Sequence, residues 1–131
     1  MIRQAALLAS LMLAVPAVAA DGPTAAAARA DAKLARLTAG WMAGAPVRCI
    51  QPDRGSAPEK IDGLALVFRQ AGTVYVSQLR DGCPWLREYR TIVTSSINGQ
   101  FCRNDQVRIV DLGTLFGICR FGDFTPYTKA R

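Results

Sequence analysis

The sequence predicts a small, mainly β domain with an N-terminal helix, its antiparallel strands curled into a barrel or a sandwich and stapled by two disulfides. Three observations carry that prediction. Residues 22 to 40, GPTAAAARADAKLARLTAG, are rich in alanine, the residue with the highest intrinsic helix propensity. From Pro46 onward short apolar runs alternate with turn residues, the pattern of several short strands. The chain has four cysteines among 131 residues, and an even number in a short exported chain argues for bridges.

Export is itself a reading of the amino terminus, MIRQAALLASLMLAVPAVAADG. Arg3 and the free amino group precede an apolar run from Ala5 to Val15, followed by Pro16 and small residues. That order is the order of a secretory signal peptide. The run is shorter than the roughly 20 residues a bilayer-spanning helix needs, and Val18 and Ala20 stand where signal peptidase reads. Cleavage is expected after Ala20, with Ala19 the second choice. No cysteine closely follows the run, so no lipid attachment is expected, and no transmembrane segment remains after cleavage. The expected units are a signal peptide over 1–20, an alanine-rich helix and linker over 21–45, and a disulfide-bonded β domain over 46–131. Only one charged group, Arg3, leaves with the signal, so the formal charge falls from +6 to +5. The expected location is the periplasm or the secreted space.

The helix is expected from about Thr24 to Ala39, with Pro23 suited to its first turn and Gly40 to its stop. Its apolar stripe is thin, and docking should rest on Leu34, Leu37 and Trp41. PVRCI, Pro46 to Ile50, is the first candidate strand, and QPDRGSAPEK, with two prolines and four charges, reads as a solvated loop. LALVFRQAGTVYVSQL gives two apolar runs about a turn at Gln70 to Gly72, a hairpin. RDGCPWLREYR is irregular, TIVTSSI a strand, and Asn98-Gly99 a tight turn. A further hairpin is centred on Leu112-Gly113. In an unbroken ladder Asp111 faces Thr114, Ile109 faces Phe116, Val107 faces Ile118 and Asp105 faces Arg120, which puts the apolar residues of both strands on one face.

That register constrains the bridges. Cys119 then faces Gln106, and Cys102 lies about 13 Å farther along at ~3.3 Å per residue, too far for a bridge. Cys102 with Cys119 is disfavoured, and two pairings of Cys49, Cys83, Cys102 and Cys119 stay open. A zinc site or a redox dithiol wants clustered ligands such as C-x-x-C, whereas these cysteines are 34, 19 and 17 residues apart in a chain without histidine. No cofactor and no metal are expected.

The same lack of histidine removes the usual Ser-His and Cys-His nucleophiles. A serine-lysine pair has no S-x-x-K to rest on. Asp105, Asp111 and Asp123 could in principle serve a histidine-independent hydrolase as paired carboxylates, but each has a plainer place at a turn or opposite an arginine. No catalytic residue is assigned, and the expected role is non-enzymatic. Two surfaces could bind. The CPWL segment gives a stapled contact loop of Asp81, Cys83, Pro84, Trp85 and Leu86, which in an inhibitor would enter an enzyme's cleft. Arg87, Arg90, Arg103, Arg108 and Arg120, mixed with aromatic residues, could bind an anion. Nucleic acid is not the expected partner of an exported chain with no RNA-recognition motif; an envelope protein or an anionic envelope component is.

The motifs PVRCI, IDG, TVYVSQL, CPWL, FCRNDQVRIVD and CRFGDFTPY together resemble a family of uncharacterised exported proteins of proteobacteria, a domain of unknown function. The resemblance spans about Leu37 to Tyr127. It is most specific in the C-x-x-D run, Cys102 to Asp105, and in the GDFTPY ending, Gly122 to Tyr127. It implies a periplasmic domain without known activity and a framework of Cys49, Cys102, Asp105, Phe124 and Pro126. It also implies the pairing Cys49 with Cys102 and Cys83 with Cys119, because the family framework keeps the first pair where the second is not evident.

Overall fold

The computed structural model describes residues 12–17, 23–53 and 55–130. Most of the segment expected to be a signal peptide, its cleavage positions included, lies outside the described residues; those from 12 to 17 are exposed and take no regular structure. Among the described residues no helix is long and apolar enough to cross a membrane.

Among the described residues one helix and ten strands follow in order: α1 (Pro23–Thr38), β1 (Trp41–Ala43), β2 (Cys49–Ile50), β3 (Glu59–Ile61), β4 (Ala65–Gln70), β5 (Thr73–Gln78), β6 (Thr91–Thr94), β7 (Phe101–Cys102), β8 (Gln106–Asp111), β9 (Thr114–Arg120) and β10 (Phe124–Lys129). All pairings between the strands are antiparallel. A five-stranded sheet runs β1-β10-β5-β4-β3, a three-stranded sheet runs β6-β8-β9, and β2 pairs with β7. The sheets are not closed into a barrel.

The five-stranded sheet is covered on both faces. Side chains alternate along a strand, so Leu66 and Phe68 of β4 enter one core with Val107, Ile109, Cys119, Phe121 and Phe124. Ala65 and Val67 enter a second core with Val74, Val76 and Ala30 of the helix. Four consecutive buried residues, Ala65 to Phe68, are therefore the mark of a strand sandwiched between a helix and a sheet, and the unbroken apolar run there has that cause. The first core is centred on Phe68, Phe101, Phe121 and Phe124, whose ring centroids lie 5.2 to 6.1 Å apart in tilted or stacked pairs.

The helix docks through Ala30, with Leu34 and Leu37 partly buried beside it. Trp41 packs there too, but from β1 and not from the helix. Gly40, with φ of 77°, stops the helix and turns the chain so that Trp41 pairs with Lys129. The sheet thus begins at Trp41, ahead of the expected start at 46. In PVRCI only Cys49–Ile50 is a strand, while Val47 exchanges both backbone bonds with Phe124. The predicted loop after it ends early, since Glu59 and Lys60 pair with Val67 and Leu66.

Three two-residue turns share one geometry. Ala71-Gly72, Asn98-Gly99 and Leu112-Gly113 all have positive φ at both central residues, as a two-residue turn matched to strand twist requires. The β8–β9 ladder, however, is not unbroken. Asp111 pairs with Thr114 and Val110 with Leu115, as expected, but Ile109 pairs with Gly117, Arg108 with Ile118, Val107 with Cys119 and Gln106 with Arg120. Phe116 is an extra residue, a β-bulge. From there on the inner face of β9 carries Gly117 and Cys119, and Ile118 faces out. The expected pairs Ile109–Phe116, Val107–Ile118 and Asp105–Arg120 do not form.

Both bridges are made, Cys49–Cys102 and Cys83–Cys119, and no described cysteine is free. The first joins directly opposed residues of β2 and β7. The second needs the bulge, because only the shifted register turns Cys119 toward Cys83, where both are buried. Asp105 explains the C-x-x-D run: its carboxylate accepts the Cys102 N–H at 2.8 Å while its own N–H donates to the Cys102 carbonyl at 3.0 Å. A carboxylate placed so closes the turn that leads β7 into β8.

Candidate contact surface

The segment after β5 folds against the inner side of β9. Cys83 is tied to Cys119, Leu86 is fully buried, and Gly63 exchanges backbone bonds with Cys83 and Leu86 at 3.0 Å. Trp85 lies flat on Gly117. A Cβ at Gly117 would come within 2.3 Å of the Trp85 ring, so only glycine leaves room for the indole. Arg90 completes the arrangement: one Nη donates to the Trp85 carbonyl at 2.8 Å, and its guanidinium stands 3.9 Å over the Phe116 ring and 5.5 Å from that of Tyr89. Cation–π contact of this kind holds a planar cation and a ring together.

The outer face of the three-stranded sheet, opposite to the side on which Trp85 lies, carries a second exposed group. Val93, Arg108 and Ile118 form one cross-strand row, and Leu115 and Phe116 lie nearer the turn. Val93, Leu115, Phe116 and Ile118 are 40 to 52% exposed, Tyr89 71% and Trp85 40%. Singly, exposed apolar side chains need no explanation; grouped around arginines they have the make-up of a contact surface.

The structure redistributes the residues expected at binding sites. Of the loop Asp81, Cys83, Pro84, Trp85 and Leu86, the first is exposed in a left-handed turn, Cys83 and Leu86 are buried, Pro84 is exposed and Trp85 half so. The loop lies against the sheet instead of standing off it. The arginines do not form one anion site. Arg90 stands over the Phe116 and Tyr89 rings, and Arg108 lies on the outer face between Val93 and Ile118; Arg103 pairs with Asp123 at 3.5 Å; Arg120 donates to the Asn104 carbonyl at 3.0 Å; Arg87 bonds the Leu86 carbonyl at 2.9 Å and lines a cleft of about 780 Å³ beneath α1. The residues that sequence reasoning placed in the core and the structure places outside are Phe116 and Ile118. The one local signal was Gly117, since a glycine inside a strand often marks a bulge or a close approach.

A groove of about 800 Å³ lies between the 51–58 loop and the β6–β7 connection, with Phe68, Ile92 and Phe101 at its apolar side and Asp53 as the one carboxylate among its described lining residues. Asp105, Asp111 and Asp123 do not line it, and the described residues hold no group of three or more metal-ligating side chains. No family model, no curated protein and no solved structure matches the chain.

Proposed function

We propose that this is a non-enzymatic binding domain associated with the cell envelope, exported to the periplasm or beyond, and that it makes contact through the outer face of β6, β8 and β9. The observation that carries the reading is the bulge at Phe116. It turns Ile118 out of a core that could have taken it and onto the outer face with Val93 and Arg108, while Phe116, also left outside the core, lies under the Arg90 guanidinium. Tryptophan, tyrosine and arginine are the residues that most often dominate interface energetics. The two disulfides support an oxidising compartment. Because the CPWL loop lies against the sheet, contact by a face is favoured over the insertion of a loop into an enzyme's cleft.

Photo-crosslinking in the producing cell tests this. A photoreactive phenylalanine analogue at position 93 or 118, both 45% exposed, should give adducts with another envelope component. The same group at Met42, 60% exposed in the other sheet, should give none. Equal adducts at all three positions, or none at 93 and 118, would contradict the reading.

A further inference from the structure

The β8–β9 turn breaks two local rules at one residue. Leu112 has φ of 47°, a left-handed conformation that glycine and asparagine accept and a bulky hydrocarbon side chain resists. It is also 99% exposed, so its side chain gains nothing from the rest of the molecule. The same chain builds its Asn98-Gly99 turn from the residues this geometry prefers. A leucine kept where it costs backbone energy and buries no surface points to something outside the chain.

Its surroundings indicate what. Behind the tip on β9 come Leu115 and Phe116, and Arg90 over the Phe116 ring also stands against the exposed ring of Tyr89, aliphatic and amphipathic aromatic side chains of the kinds found at a bilayer interface. Charge behind the tip is mainly cationic: Arg108 lies on β8 and Arg90 directly precedes β6, whose Thr91 pairs with Val110, against Asp111, beside Leu112, as the one carboxylate of the three strands. A second copy of the chain would set these arginines against one another. A turn apex is also convex, and a bilayer, unlike a folded partner, needs no matching pocket to receive it. We infer that the β8–β9 turn is a shallow anchor, which inserts Leu112 among the headgroups and upper acyl chains of an anionic bilayer while the arginines behind it meet lipid phosphate. This inference rests on the reading of the face as a contact surface and names its partner.

The test uses the protein as cells export it, with vesicles of phosphatidylcholine containing about a quarter phosphatidylglycerol, where each basic side chain near the surface adds attraction that salt weakens. Binding should exceed that to phosphatidylcholine alone and fall as salt is raised. Leu112→Asn should bind about tenfold more weakly, the loss expected for withholding one leucine from an apolar phase, yet melt no lower, because asparagine suits the turn. Undiminished binding by Leu112→Asn, indifference to phosphatidylglycerol, or no vesicle binding would each overturn the inference. If vesicles fail while positions 93 and 118 still crosslink to a protein, the anchor falls and the contact face stands.

Discussion

Reduction of both disulfides should unfold the domain under conditions where the oxidised protein is native. The bridges span 53 and 36 residues, and the chain-entropy relation gives about 4 kcal/mol for each loop of this length. Together that is about 8 kcal/mol, comparable with the whole net stability of a typical domain, roughly 5–15 kcal/mol. The two should not behave alike on removal. Cys49–Cys102 ties two strands of two residues each, which have almost no ladder of their own, so replacing both by serine should loosen the β2–β7 end first. Cys83–Cys119 lies in the first core, so its replacement by alanine adds a packing loss and should also free the Trp85 segment from β9. Urea denaturation of each double variant, with and without reductant, checks both statements, and peptide mapping without reduction should recover the same two pairs.

The second large effect is expected at Gly117. Alanine there puts a methyl group 2.3 Å from the Trp85 ring, and the ring is not free to retreat: Cys83 is bonded to Cys119 two residues away and Arg90 holds the Trp85 carbonyl. Overpacking of this kind typically costs 1–3 kcal/mol, and with displacement of the indole we expect Gly117→Ala to cost about 3 kcal/mol. Trp85→Ala alone should cost about 2 kcal/mol, since the ring is only partly buried. The double variant should be no less stable than Trp85→Ala, because the methyl group then occupies the space the ring has left. That non-additivity is the signature of direct contact. Equilibrium urea unfolding of the three variants measures it.

The same contact shows where sequence reasoning stops. The hairpin centred on Leu112-Gly113 and its first pairs were legible, because turn chemistry and strand period are local properties. The bulge was not. In TLFGICRF, from Thr114 to Phe121, apolar residues occur on both parities, so alternation alone cannot say which of Phe116 and Gly117 is the extra residue. Distant partners decide it: Cys119 must meet Cys83, Phe121 must reach Phe68 and Phe124, and Trp85 needs a glycine beneath it. Trp41 is a similar case. Its spacing from Leu34 and Leu37 continues the helical stripe, but Gly40 ends the helix, and the indole reaches the same core from a strand. The candidate surface was half legible for this reason. Trp85, Arg90 and Arg108 could be singled out by residue type, whereas Phe116 and Ile118, the apolar part, came into view only with the shifted register.

The shifted register is the claim on which the contact surface depends, and one NMR measurement reaches it directly. A soluble gadolinium chelate broadens the methyl resonances it can approach. With the bulge at Phe116, the methyl groups of Ile118, which is 45% exposed, should broaden strongly while those of Val107 and Ile109, both fully buried, stay sharp. An unbroken ladder places Ile118 on the same face as Val107, and equal protection of the two would contradict both the bulge and the surface built on it.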